Sequence, residues 1–179
     1  QQELINQKLS NDISEQEIAE YYGKNKELFK LETPLIKGLF IKVPLTAPQL
    51  NNVRRWYKSD KQDAVESLEK YSLQNAVKYE YFYDKWVSVT DVLDMIPLKV
   101  EAPEEYVDKH RQVELKDTAY YYFLNVSDYR GIGEEKPYEF ARSEVKDLLV
   151  NQKRVSFMEQ VKNDLYQQAV SKKKIIYNY

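Results

Sequence analysis

Residues 35–43 read LIKGLFIKV, a nearly unbroken apolar run rich in β-branched residues and closed by Pro44. Such a run is too short for a buried helix and suits a strand covered on both faces. A second run, AYYYFLNV at 119–126, has Tyr120, Tyr122, Leu124 and Val126 on one face of a strand and Tyr121 and Phe123 on the other. Both faces carry apolar or amphipathic groups, so cover is expected on both sides here too. Between them, Tyr79, Tyr81 and Tyr83 alternate with Lys78, Glu80 and Phe82, again with a period of two. Val113 to Leu115 lead into 119–126 through a turn at Lys116-Asp117, which reads as a hairpin. The centre of the chain is therefore a small, mostly antiparallel sheet.

The flanks are helical. Ser14-Glu15-Gln16-Glu17 is a capping box, in which the Ser14 hydroxyl meets the backbone at Glu17 while Glu17 reaches back. Ile18, Tyr21, Tyr22, Leu28 and Phe29 give the helix that follows an apolar stripe, and Pro34 ends it. Ahead of it, Leu4, Ile5 and Leu9 fit the end of another helix. Residues 47–77 return to helical spacing as one long or two short helices. Thr90 reads as the cap of a short helix through Met95, and Pro103 opens another to residue 110. After the turn Gly131-Ile132-Gly133, one helix from Tyr138 to Ser171 would span about 50 Å. Ala141, Val145, Leu148, Val155, Met158, Val161, Leu165 and Ala169 form its stripe, and Lys172 to Lys174 suit its C-terminal dipole. Ile175-Ile176-Tyr177 reads as a final short strand. The chain opens at Gln1, already in helical sequence and without Met, which reads as a piece whose natural N-terminus is missing.

Composition narrows the chemistry. The 179 residues include 27 Lys plus Arg against 29 Asp plus Glu, mixed along the chain, which argues against a nucleic-acid surface. The cluster Arg54-Arg55-Trp56-Tyr57-Lys58 fits a solvated helix face better than a stacking platform. There are no cysteines and one histidine, His110, so thiolate or His-rich metal sites and Cys or Ser-His nucleophiles are not expected. Four glycines leave no phosphate-cradling loop, so no cofactor and no metal is expected. The 16 tyrosines stand out: half-buried sheet packing is the first reading of those in the strands, and rigid amphipathic surface for peptides the second. Asp84 and Asp91 near Trp86 read as an acidic pair or, as well, as turn and cap residues.

The order of helix, strand, helical middle, late strand and long helix resembles the parvulin-type peptidyl-prolyl isomerases of the SurA and PrsA kind. The segments that carry the resemblance are EIAEYYGKNKELF at 17–29 and EVKDLLVNQKR at 144–154. It implies an α+β fold: a degenerate parvulin-like domain at 34–130, with a helical chaperone subdomain made by the N-terminal segment 1–33 and the long C-terminal helix and terminal strand at 131–179. It further implies a periplasmic or outer-envelope location in a bacterium. The implied partners are unfolded or nascent exported proteins and peptides containing Pro and aromatic residues, with membrane anchoring through the missing N-terminus compatible.

The family carries a histidine where this chain has Gly38, a second near Tyr121, and a glycine-rich GGDLG segment where this chain has YEYFYDKW at 79–86. With these gone, the expected role is a chaperone or foldase with little or no isomerase activity. The alternatives are an active isomerase with a tyrosine-lined site, or a structural partner in an envelope assembly. Tyr121, Tyr122 and Asp84 are the catalytic candidates. Phe40, Tyr79, Tyr81, Tyr83, Trp86, Tyr120 and Phe123 are the peptide-binding candidates.

Overall fold

The computed structural model describes residues 2–177, apart from the side chains of residues 2, 3, 6 and 174–177. The chain divides into two compact units, one comprising Lys30–Glu139 and the other the residues up to Phe29 together with those from Phe140.

The first unit is built on a four-stranded antiparallel sheet formed by β1 (Leu35–Pro44), β2 (Lys78–Ser88), β3 (Gln112–Lys116) and β4 (Tyr120–Arg130), in the order β2-β1-β4-β3. The apolar run at 35–43 is thus a central strand, paired on both edges. Its two faces feed two separate cores. Ile36 and Phe40 join Phe82, Tyr122, Leu124 and Val126 on one face, under α5 (Val89–Leu93) and α6 (Pro103–Lys109). Leu39, Ile41 and Val43 join Phe123 on the other, under α3 (Leu50–Tyr57) and α4 (Gln62–Asn75). The segment 47–77 is therefore two helices, separated near Ser59-Asp60. Tyr57 packs on Phe123 with ring centres 5.1 Å apart, and Trp56 meets Tyr71 edge-on. Tyr71 closes the loop before α3 by donating its hydroxyl to the Pro48 carbonyl at 2.7 Å.

Gly38 breaks the regular pairing. Ile36 stands opposite Val87 while Gly38 stands opposite Phe82, and on the other edge Lys37 faces Asp128 while Gly38 faces Val126. Extra residues on both neighbours bend the sheet at this point. A Cβ at position 38 would overlap the Asn125 carbonyl oxygen outright, with the Asn125 carbonyl carbon at 3.1 Å and the Phe82 ring at 3.3 Å. Only glycine allows this approach.

In the second unit, α1 (Gln2–Asn11) and α2 (Glu15–Lys24) pack on α7 (Tyr138–Tyr177). The Ser14 half of the capping box forms, its hydroxyl accepting the Glu17 amide at 3.1 Å, while the Glu17 carboxylate turns to Lys153. Glu15 pairs with Arg142, Glu17 lies 3.5 Å from the Lys153 ammonium, and Lys153 also donates to the Asp12 carbonyl at 3.3 Å. Phe29 is buried between Tyr21 and Tyr22, at 6.2 and 6.0 Å. Ala141 and Val145 are buried, whereas the rest of the α7 stripe, Leu148, Val155, Met158, Val161, Leu165 and Ala169, is exposed.

Two local expectations are corrected. The segment Ile175-Ile176-Tyr177 continues α7 and forms no strand, because nothing interrupts the helical backbone after the lysines. Ser88, not Thr90, occupies the N-cap of α5, and its hydroxyl meets that of Thr90 at 2.9 Å; the helix ends at Leu93. No helix among the described residues is long and apolar enough to cross a membrane.

Candidate functional site

The face of the sheet under α5 and α6 is incompletely covered. α5 has five residues, and the loop after it, Asp94 to Pro97, leaves a cavity of about 520 Å³ against the strands. Its lining is mostly apolar: Phe40 and Tyr122 from the sheet, Val77 just before β2, and Met95, Ile96 and Pro97 from the loop. Lys42, Lys78 and Asp94 supply the charges.

Tyr122 is locked beside this cavity. The turn between β3 and β4 is organised by Asp117, whose Oδ1 accepts the amides of Ala119 at 2.9 Å and Tyr120 at 2.8 Å. Its Oδ2 accepts the Tyr122 hydroxyl at 2.6 Å. The hydrogen bond from Tyr122, followed by those two amides, holds the Asp117 carboxyl below the usual carboxylate range. Burial, reinforced by the bond to Asp117, pushes the Tyr122 phenol up to about 12. The Tyr122 proton is therefore committed to Asp117. Lys42, two residues from Phe40 on the same strand face, rests its ammonium over the rings of Tyr120 at 4.2 Å and Tyr122 at 5.4 Å.

The remaining candidates go elsewhere. Tyr121 lies on the opposite face from Tyr122, stacked on Phe123 at 5.9 Å and approached by Arg54 at 5.4 Å. Phe123 is fully buried in the α3 and α4 core, away from Phe40 in the other core. Tyr79 and Tyr83 pack against the same core as Phe123. The Tyr79 hydroxyl is shut from solvent without a hydrogen-bond partner, and burial raises its pKa. The Tyr83 hydroxyl accepts from the Asn125 side-chain amide at 2.9 Å; burial raises its pKa against the opposing effect of that bond. Tyr81 is exposed and meets Tyr83 edge-on at 5.5 Å. Trp86 holds Lys37 at 4.9 Å and Arg130 at 5.1 Å over its ring. Asp84 is exposed on β2 and does not line the cavity.

Phe40 and Tyr122 are thus brought together, with Tyr120 linked to them through Lys42; Tyr121, Tyr122 and Asp84 do not share a site. Sequence reasoning missed Lys42 and the Met95-Ile96-Pro97 wall. Lys42 was within reach, since strand alternation puts it on the face of Phe40. The wall was not, because it depends on how short α5 turns out to be.

Among the described residues no group of three or more His, Cys, Asp or Glu is placed to hold a metal ion. His110 sits exposed at the end of α6, its ring stacked on Tyr106 at 3.9 Å.

No family model matches the sequence, and no curated protein matches it either. Among solved structures, the chain is similar to a chain from work on PEB4, a virulence factor, and the periplasmic protein Cj1289, two structurally related SurA-like chaperones of Campylobacter jejuni. The TM-score is 0.36 at 9% identity, covering 93% of this chain and 67% of that one.

Proposed function

We propose that this chain is a holding module for unfolded exported polypeptides in the bacterial envelope, with little or no prolyl isomerase activity. The observation that carries this reading is the pairing of an open, aromatic-lined cavity with a closed Gly38. The cavity offers Phe40, Tyr122 and the Met95-Ile96-Pro97 wall to an apolar or prolyl side chain. Beside it, the position where parvulin-type isomerases carry a histidine has no room for any side chain, because Asn125 lies against it.

An isomerase must lower a barrier of roughly 18–20 kcal/mol by stabilising a twisted amide in a dry pocket. Here the hydroxyl nearest the cavity is already donated to Asp117, and Tyr121 is on the far face. What remains is contact area from rigid rings, which suits loose binding of many sequences. The envelope location and the clients rest on the resemblance of residues 17–29 and 144–154 to the SurA and PrsA kind.

The test is to measure suppression of aggregation of an unfolded client alongside the rate of cis-to-trans conversion of an X-Pro peptide, at one protein concentration. Suppression without acceleration is expected. Acceleration would overturn the non-catalytic part, and silence in both assays would favour a structural role in an envelope assembly.

A further inference from the structure

One cation in the cavity makes no ion pair among the described residues. Lys42 is half-buried, and its ammonium rests on the Tyr120 and Tyr122 rings with no ion-pair partner among the described residues. Asp117 is near enough for Lys42 to favour its ionised form but makes no ion pair with it, its oxygens accepting instead from Ala119, Tyr120 and Tyr122. Lys78 is engaged with Glu80 at 3.3 Å, and Asp94, which lines the same cavity, is exposed. A partly desolvated ammonium whose stem is fixed along aromatic rings gains most from an anion delivered beside an apolar group.

The shape indicates where that anion sits in a ligand. Val77 and Lys78 also border a second cavity of about 430 Å³, to which Leu73 and Ala76 contribute. Leu73 is 89% exposed and Val77 54%, and Glu66, Glu69 and Lys70 add charge to the second cavity, which adjoins the first at Val77 and Lys78. A chain can run past the first cavity instead of ending in it.

We infer that the first cavity selects extended segments in which an apolar side chain, seated against Phe40 and Tyr122, is flanked by an internal Asp or Glu whose carboxylate pairs with Lys42. This rests on the holding role proposed above and names its preferred client sequence: acidic-apolar rather than basic-apolar.

The experiment uses three nonapeptides, labelled with fluorescein at the N-terminus and amidated at the C-terminus, identical except for Glu, Gln or Lys before a central Phe. They are titrated into the full chain at low salt and followed by anisotropy. The Glu peptide is expected to bind about five-fold tighter than the Gln peptide, with the Lys peptide weakest. Salt at about 0.5 M shrinks the preference. Lys42→Met removes it and Lys42→Arg keeps it, with the denaturant midpoint of each variant compared with that of the unmodified chain, which separates loss of charge from misfolding. Equal binding of Glu and Gln peptides to the unmodified chain overturns the inference and leaves the holding role standing. A preference that survives Lys42→Met overturns the assignment to Lys42. A Phe-ending peptide with a free carboxylate that outcompetes the internal Glu peptide overturns the choice of an internal acid. If none of the peptides binds, the holding role itself falls.

Discussion

The two faces of the sheet are made from the same strands and have opposite fates. Leu39, Ile41 and Phe123 point to a face sealed by α3 and α4, where Tyr57, Leu68 and Tyr71 complete the core. Ile36, Phe40 and Tyr122 point to a face under two shorter helices, where a cavity of about 520 Å³ stays open. Strand chemistry does not distinguish them, since each face of β4 carries tyrosines. The difference lies in the cover. Fourteen residues of α4 lie over β1 and β2 beside α3 on β1 and β4, while α5 stops after five and gives way to a loop ending at Pro97. One face is closed over its core; the other keeps an open cavity.

The sharpest way to break this contrast is to place a histidine on the central strand. Gly38→His should prevent folding or cost at least about 3 kcal/mol, because the new Cβ collides with backbone at Asn125 rather than with a side chain that can turn away. Urea denaturation reads the loss. A folded, active isomerase from this single change would show that the site was merely unfilled.

On the sealed face, Phe123→Ala should cost about 3–5 kcal/mol while leaving peptide affinity per folded molecule unchanged. Denaturant midpoints and peptide titration at low temperature separate the two readouts. On the open face the order reverses. Val77→Glu alters an exposed residue bordering both cavities, so stability should stay within about 0.5 kcal/mol while affinity for an acidic-apolar peptide falls about ten-fold.

The smallest effect concerns pH. Asp117 has a lowered carboxyl pKa in the folded chain, so its contribution to stability is present above its ordinary value of 3.8 and is lost as pH falls through the depressed folded value. Tyr122→Phe removes the largest cause of that depression. The stability gap between the unmodified chain and Tyr122→Phe should therefore be widest near neutrality and narrow below pH 3.8, as thermal melts across the acid range would record.

Much of this architecture was legible in the sequence. The period of two in 120–126 assigns Tyr122 and Phe123 to opposite faces, and the structure puts them in separate cores. The Ser14 cap and the Pro103 start follow from local hydrogen-bonding and φ preferences that need no tertiary context. The α7 stripe shows the limit of such reading. Its apolar spacing runs on to Ala169, but only Ala141 and Val145 are buried, because periodicity records a face and not its partner. The site was harder still. Grouping Tyr121 with Tyr122, or Phe40 with Phe123, joined residues that are close along or across strands yet separated by the thickness of the sheet. Lys42 was passed over because a lysine in a strand ordinarily faces water, and its seat on two tyrosine rings depends on the β1–β4 register that sets it opposite Tyr122.

The most direct test of a cavity that binds without catalysing is NMR on isotope-labelled protein with an X-Pro peptide that also carries an aromatic residue. Amide shifts map the contact, and exchange between the cis and trans peptide signals in the same tube reports isomerisation. Shifts are expected at Val77, Met95, Ile96 and Tyr122 with no gain in exchange rate. Shifts confined to α3 and α4, or faster exchange, would contradict binding without catalysis.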